Sequence, residues 1–424
     1  MDFLESMQWL HGQRDRGIRP GLDTMQALLA RMGNPQKGLQ SIVVAGTNGK
    51  GSVCAMLSAV LEAAGCSAGT YTSPAVFQLL EQYKLGTSCC TAEQFAQACT
   101  LVRQGAEALA RDGIYPTGFE LETAAAFALF AQQGCGLAVL ECGMGGDLDA
   151  VNVAENRLLA VITPIAVDHT RFLGDTPEEI ARHKAGIVTP GCPLVTAPQT
   201  PAVLSVLEDA CAAAGSRCIP VPEGALTMLE DTPKGMLLKP EEGEPYLLGL
   251  HGAYQSGNAA VALEACRQLA KAGLPISDGD IRRGFAAARH PGRFQLLGEA
   301  PVFVLDGAHN PHGMDAFCTG LEQMFPGREI LAVMGVFRDK AYDRMLQRLS
   351  RTASGLYAVT APGARGLDAR QLGAAAEAYF SRVRVEPDPV QGIREAARHS
   401  DAVIAVCGSL SFLAEVAAEI NKVK

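Results

Sequence analysis

Positive charge is in short supply in this chain: 36 lysines and arginines face 45 aspartates and glutamates, for a net charge of −9. No basic stripe stands out, which argues against a nucleic-acid partner. An acidic protein that handles nucleotides must then recruit its positive charge locally. Long apolar runs are missing as well. No uninterrupted stretch is long enough to span a bilayer, and the first residues, with Asp2 and Glu5, contain no apolar signal core. The thirteen cysteines are odd in number and show no Cys-x-x-Cys spacing. They read as small buried hydrophobes in a reducing cytosol rather than a disulfide or zinc framework. Internal repeats and low-complexity tracts are absent. These absences predict a soluble cytoplasmic protein with no membrane partner.

Apolar residues, by contrast, make up 48% of 424 residues, enough for a large core and too much chain for one typical domain. The most informative stretch is Ser41-Ile-Val-Val-Ala-Gly-Thr-Asn-Gly-Lys-Gly-Ser52. An apolar strand enters a glycine-rich turn, and a helical pattern runs from Ser52 to Ala64. Backbone N–H groups and the positive end of the helix dipole then point at an anion. Lys50 would reach outer phosphates and the Ser52 hydroxyl would face Mg²⁺. The match to the strict phosphate-loop pattern is imperfect, because Val44 stands where the first glycine belongs and Gly51 separates Lys50 from Ser52. An ordinary glycine-rich βα turn is the alternative.

Strand and helix patterns alternate around this turn. A β-like run is expected at 68–72, and strands at 137–142 and 158–163, the last two nearly all apolar, as a parallel sheet buried on both faces requires. Helices are expected from Thr91, with Gln94 completing a capping box, and over 120–133. Residues 220–250 read as a small antiparallel add-on, and helices resume at 258–272 and 278–288. A second alternation has strands at 302–305, 330–334, 356–360, 382–385 and 402–406. The expected fold class is α/β: an N-terminal P-loop NTPase-like doubly wound domain over 1–290 with a small β add-on, and a C-terminal Rossmann-like α/β domain over 291–424. His290-Pro291-Gly292 is the expected hinge, and a cleft between the domains the expected ligand site.

Polar bursts follow several strands. Glu141 ends one and precedes Gly143-Met-Gly-Gly146, well placed to meet a phosphate-bound cation or, alternatively, to cap a turn. His169 follows the next strand in Asp168-His-Thr170, at the same sheet edge; two strands delivering Glu141 and His169 to one edge suggest a metal cluster. Lys184 is ambiguous, a surface lysine at a helix end being the default. Asp306-Gly-Ala-His-Asn310 follows a strand of the second domain and also reads as an Asp-Gly turn with a capping Asn.

These pieces, in this order, resemble the Mur ligase superfamily and within it the folylpolyglutamate synthases, some bacterial members of which are also dihydrofolate synthases. The resemblance spans nearly the whole chain. It runs from Gly33-Asn-Pro35 and the glycine-rich turn, whose spacing is this family's own variant, through Thr72-Ser-Pro74, Phe119-Glu120, Leu140 to Gly146, Leu148-Asp-Ala150, Asp168-His-Thr170 and Lys184-Ala-Gly-Ile187. It continues with Gln255, Asn258, Pro291-Gly-Arg-Phe-Gln295, Asp306 to Pro311, Asp339-Lys340 and Cys407-Gly-Ser409.

The resemblance implies an ATP- and Mg²⁺-dependent amide ligase acting through an acyl phosphate that the amino group of L-glutamate attacks. Thr47, Asn48, Gly49, Lys50, Gly51 and Ser52 would hold ATP, with Asn258, Arg293 and Asp306 as further nucleotide contacts. Ser73, Glu141, His169 and a carbamylated Lys184 would hold two Mg²⁺ ions. Carbamylation needs a neutral amine, so the Lys184 pKa must fall well below its usual ~10.4. His309 resembles a residue near the incoming glutamate, and Lys50, Lys184 and His309 would be catalytic. Phe119, Asp149 and Ala150 match the family's pterin-pocket region. Small molecules are the implied partners, folate or dihydropteroate and L-glutamate, with a monomer as the default state.

The chain departs from the family pattern at Ala75 (usually His), Gln82 (usually Arg), Asp147 (often Arg), Arg171 (often Asp), His183 (often Glu) and Tyr254 (usually His). Loss of positive charge at 75, 82 and 147 predicts weaker recognition of an anionic acceptor. Competing readings are a superfamily ligase for another carboxylate and a catalytically silent nucleotide-binding module.

Overall fold

Apolar strands whose neighbours must bury them on both sides form the centre of an eight-stranded sheet. The computed structural model that shows it describes residues 1–13, 16–17 and 19–423. The strands are β1 (Gln40–Ala45), β2 (Ala68–Tyr71), β3 (Tyr83–Leu85), β4 (Ser88–Cys89), β5 (Leu137–Glu141), β6 (Asn156–Ile162), β7 (Leu194–Thr196) and β8 (Cys218–Pro220). Their order is β4-β3-β2-β5-β1-β6-β7-β8. From β2 to β8 all pairings are parallel, and β3 and β4 continue the edge antiparallel. Val43, Ala45, Ala138, Leu140, Ala160 and Ile162 join one core with helices Asp23–Arg31, Ala92–Ala110 and Gly118–Gln132. Thr91 and Thr117 cap the last two with full capping boxes, to Gln94 and Glu120. Helix Lys50–Ala63 packs against helix Asp278–Ala287.

The chain falls into two compact units. One holds residues 1–75, 79–226 and 257–288; the other holds 76–78, 227–256 and 289 onward. The second unit contains a three-stranded sheet of β9 (Leu226–Thr232), β10 (Gly235–Pro240) and β11 (Tyr246–Leu248), with β10 and β11 antiparallel. It also holds β12 (Gln295–Leu297), β13 (Val302–Leu305), β14 (Ile330–Met334), β15 (Gly355–Ala358), β16 (Val383–Val385) and β17 (Val403–Cys407), ordered β12-β13-β17-β14-β15-β16. Only β12 is antiparallel in this sheet. Helices Pro311–Met324, Tyr342–Leu349 and Ala369–Ala376 cover one face, and Pro389–Ala396 and Leu413–Val423 the other.

The antiparallel add-on, expected within 1–290, thus groups with the second unit. Packing explains it: Tyr254 lies against the core of the six-stranded sheet, and Gly252 makes room for the Phe294 ring, which a Cβ there would approach to 2.9 Å. Among the described residues no helix is long and apolar enough to cross a membrane.

Candidate active site

In the first unit the parallel strands deliver their C-terminal ends side by side, with Val44 opposite Glu141 and Ala45 opposite Ile162. Past Ala45 the chain turns at Gly46, with φ +143°, where a Cβ would lie 1.8 Å from the Thr163 hydroxyl oxygen. Only glycine fits there. Gly49, with φ +91°, hands the chain to helix Lys50–Ala63, whose N-terminus has no side-chain cap. A helix N-terminus with this approach favours a phosphate through its amides and dipole. The Lys50 ammonium curls over the loop and donates to the carbonyls of Gly46 and Thr47, each at 3.2 Å. The Thr47 hydroxyl donates to Ala166 O (2.9 Å) and accepts from Ala166 N (3.0 Å), fastening the loop to the exit of β6. Asn258 touches the same turn, since a Cβ on Gly49 would come within 2.3 Å of its Oδ1.

One strand over, Tyr71 of β2 pairs with Leu140 of β5, so Ser73 emerges beside Glu141. The Ser73 amide donates to Glu141 Oε2 at 3.2 Å. Its Oγ is buried with no hydrogen-bond partner, while Glu141 is 5% exposed. An orphaned hydroxyl oxygen next to a buried carboxylate is a hard-oxygen donor set of the kind a magnesium ion takes. His169 has φ +53° and its amide is held by Asp168 Oδ1 at 2.8 Å. Among the described residues no three His, Cys, Asp or Glu side chains gather into a metal cluster.

Lys184 is not a surface lysine. Helix Pro177–Ala185 starts at the Thr176 capping box and buries Ile180, Ala181 and Lys184 on one face, so Lys184 is only 4% exposed. Its Nζ donates to Gly46 O at 2.8 Å. Burial, reinforced by the Lys50 charge, pulls its pKa down to about 7. An amine neutral near physiological pH has the nucleophilic lone pair that carbamylation requires.

The loop after Glu141 carries Asp149 and Ala150, two of the residues expected to meet the acceptor. Asp149 is buried and accepts from the amides of Met144 (2.9 Å) and Val151 (3.1 Å). Burial pushes its pKa up to about 6 against those hydrogen bonds. Ala150 is buried beside it, and Phe119 lies under the loop, where a Cβ on Gly143 would come within 2.6 Å of its ring. Gln82 is 2% exposed, with Oε1 buried and unpartnered. It therefore presents no side chain to a solvent-borne anion here.

In the second unit Asp306 follows β13. Its Oδ2 accepts from the Tyr254 hydroxyl (2.7 Å) and the Phe294 amide (2.8 Å), and Oδ1 from the Ala308 amide (2.8 Å). Burial raises the Asp306 pKa while the nearby Arg293 charge and these donors oppose it. Phe294 is fully buried at φ +47°, an uncommon conformation for a bulky residue. Its plugged ring and the Asp306 bond fix the turn that presents Arg293. His309 Nδ1 lies 2.7 Å from Gly307 O, and Asn310 caps helix Pro311–Met324. The Tyr254–Asp306 bond was not legible in sequence beyond the departure at 254. Nor was the contact between two other departures, Asp147 and His183, which meet at 2.9 Å.

A glycine-rich strand-to-helix turn, a buried lysine on its carbonyl and a second α/β unit define a Mur ligase. Family models agree: residues 44–194 match the Mur ligase middle domain and 292–410 the Mur ligase glutamate ligase domain. Within that class the chain belongs to the folylpolyglutamate synthase/dihydrofolate synthase family. It is 34% identical to the dihydrofolate synthase/folylpolyglutamate synthase of Bacillus subtilis, over 98% of both chains. The folylpolyglutamate synthase of Mycobacterium tuberculosis complexed with ADP superposes with a TM-score of 0.89 at 30% identity, covering 99% of each chain. Escherichia coli FolC in complex with DHPP and ADP gives 0.87 at 29% identity, covering 100% of this chain and 98% of that one.

Proposed function

We propose that this chain is an ATP-dependent ligase that adds L-glutamate to the glutamate tail of a reduced folate, and that it also joins glutamate to dihydropteroate. One observation carries the reading. The uncapped, lysine-bearing helix N-terminus sits on the strand next to the Ser73–Glu141 pair, and Lys184 reaches its turn. The ADP in the neighbouring structures and the names of the relatives support it.

The loop amides and Lys50 would neutralise the nucleotide phosphates, freeing Lys50 from the Gly46 and Thr47 carbonyls. Ser73, Glu141 and His169 would hold Mg²⁺, with a carbamylated Lys184 at a second ion; such ions supply charge neutralisation on the transferring phosphoryl group. Asn258, Arg293 and Asp306 would contact the nucleotide, and His309 the incoming glutamate. Phe119, Asp149 and Ala150 would contact the acceptor. The acceptor carboxylate would attack the γ-phosphate to give an acyl phosphate and ADP. The glutamate amine would then displace phosphate to form the amide. Thirteen cysteines without a disulfide among the described residues suit an enzyme of a reducing cytosol.

The test is incubation with MgATP, L-glutamate and either tetrahydrofolate or dihydropteroate, followed by mass spectrometry. The reading expects a ladder of added glutamates on the folate, a single addition on dihydropteroate, and matching ADP. Bound ATP with neither product sinks it.

A further inference from the structure

The acceptor loop and the Lys184 helix are joined by a side-chain pair, a backbone hydrogen bond and an asparagine bridge. Asp147, two residues before Asp149, meets His183, one residue before Lys184. Asp147 Oδ2 lies 2.9 Å from His183 Nδ1, each side chain being about two-thirds buried. The Asp147 amide also donates to His183 O at 2.9 Å. Asn152 closes the join from below, its Nδ2 donating to Asp147 O and Gly186 O, both at 3.1 Å. The backbones approach so closely that a Cβ on Gly186 would fall 2.3 Å from Asp147 Cβ. The far ends of the join are anchored too: Asp149 to the Met144 and Val151 amides, and Lys184 to Gly46.

Resting on the reading above, we propose that Asp147 and His183 form a clasp that makes the acceptor loop and the Lys184 helix one body. The acceptor contact and the buried amine are thereby positioned together. Asp147 and His183 are positioning residues, acting through Asp149 and Lys184. The loss of positive charge at 147 is then explained by what the carboxylate pairs with, not by a weakened hold on an anionic substrate. If the side-chain pair is what joins the two segments, a histidine at 147 facing a carboxylate at 183 should serve as well.

The deciding experiment is hydrogen–deuterium exchange on the ligand-free full chain, comparing D147A, H183A and the exchanged double variant D147H/H183D. In both single variants exchange should quicken about two- to fivefold, as loss of one partly buried side-chain hydrogen bond implies. It should quicken in both segments, 143–149 and 182–187. The exchanged pair should return both segments to within about twofold of the parent. Quickening confined to one segment overturns the clasp, and so does an exchanged pair no better than the singles.

Steady-state kinetics on the same proteins give a second readout. Each single variant should raise the acceptor KM and lower kcat together, whereas a loop-only role moves KM alone and overturns the coupling. Absence of glutamate-dependent ADP formation from the parent protein would count against the ligase reading, and the exchange data would then decide the clasp alone.

Discussion

The amine nitrogen of Lys184 stands 2.8 Å from the carbonyl oxygen of Gly46, so a buried lysine of one helix closes the turn at the head of another. The amine that must be neutral to be carbamylated and the loop that would cradle phosphate are a single hydrogen-bonded unit.

Burying Lys184 opposes stability, and the sign can be worked out. Its pKa is about 7 when folded against an ordinary 10.5, so between those values the unfolded chain binds more protons. Stability therefore rises with pH across that window, and below about pH 7 the whole penalty is present. Lys184→Met should raise the melting temperature at pH 7, by about 2–4 °C per kcal/mol for domains of this size. The advantage should shrink toward pH 10, while ligase turnover falls at least about 100-fold. In the parent protein turnover should decline as pH drops below about 7. A Lys184→Met variant that melts no higher than the parent at pH 7 would falsify the buried-amine account.

Gly46→Ala places a methyl group where the Thr163 hydroxyl is, at a φ that alanine resists. We expect nucleotide affinity, followed by titration with ADP, to fall at least about tenfold, with a lower melting temperature. Thr163→Ala alone should leave affinity within about twofold, because it only makes room beside Gly46. Equal losses in both variants would mean that the turn is not the binding element.

Gln82→Arg would restore the residue usual at this position of the family pattern and its positive charge. The structure predicts no benefit from it. Gln82 is buried, and a larger, charged guanidinium there would have to be desolvated or force its way out, at a cost of about 3 kcal/mol or more. Thermal denaturation should show a lower melting temperature, with no gain in folate turnover. Improved turnover at unchanged stability would return position 82 to the substrate.

The parallel strands were legible because complete burial leaves one composition open to them. The expected 302–305 and 330–334 coincide with β13 and β14, and 137–142 and 158–163 fall within a residue or two of β5 and β6. The short strands β7, β8 and β12, with at most three residues each, leave too little pattern to read. The pattern alone leaves Lys184 ambiguous, because a helix-end lysine beside His183 looks solvated, and only the Ile180–Lys184 spacing hints that it shares the buried face. Asp147 and His183 are 36 residues apart, and nothing local to either announces the other. The small sheet groups with the second unit through Tyr254 and Phe294, a contact made by folding and invisible to composition.

The order of strands in the second sheet has a consequence for how the chain is made. β17 is the last strand synthesised, yet it lies between β13 and β14, pairing with both. Until residue 407 has left the ribosome, two apolar strands face an empty slot with unpaired amides and carbonyls along both sides. The nascent second unit must therefore wait, exposed and adhesive, for its keystone to arrive, while the sheet of the first unit has its final strand by residue 220.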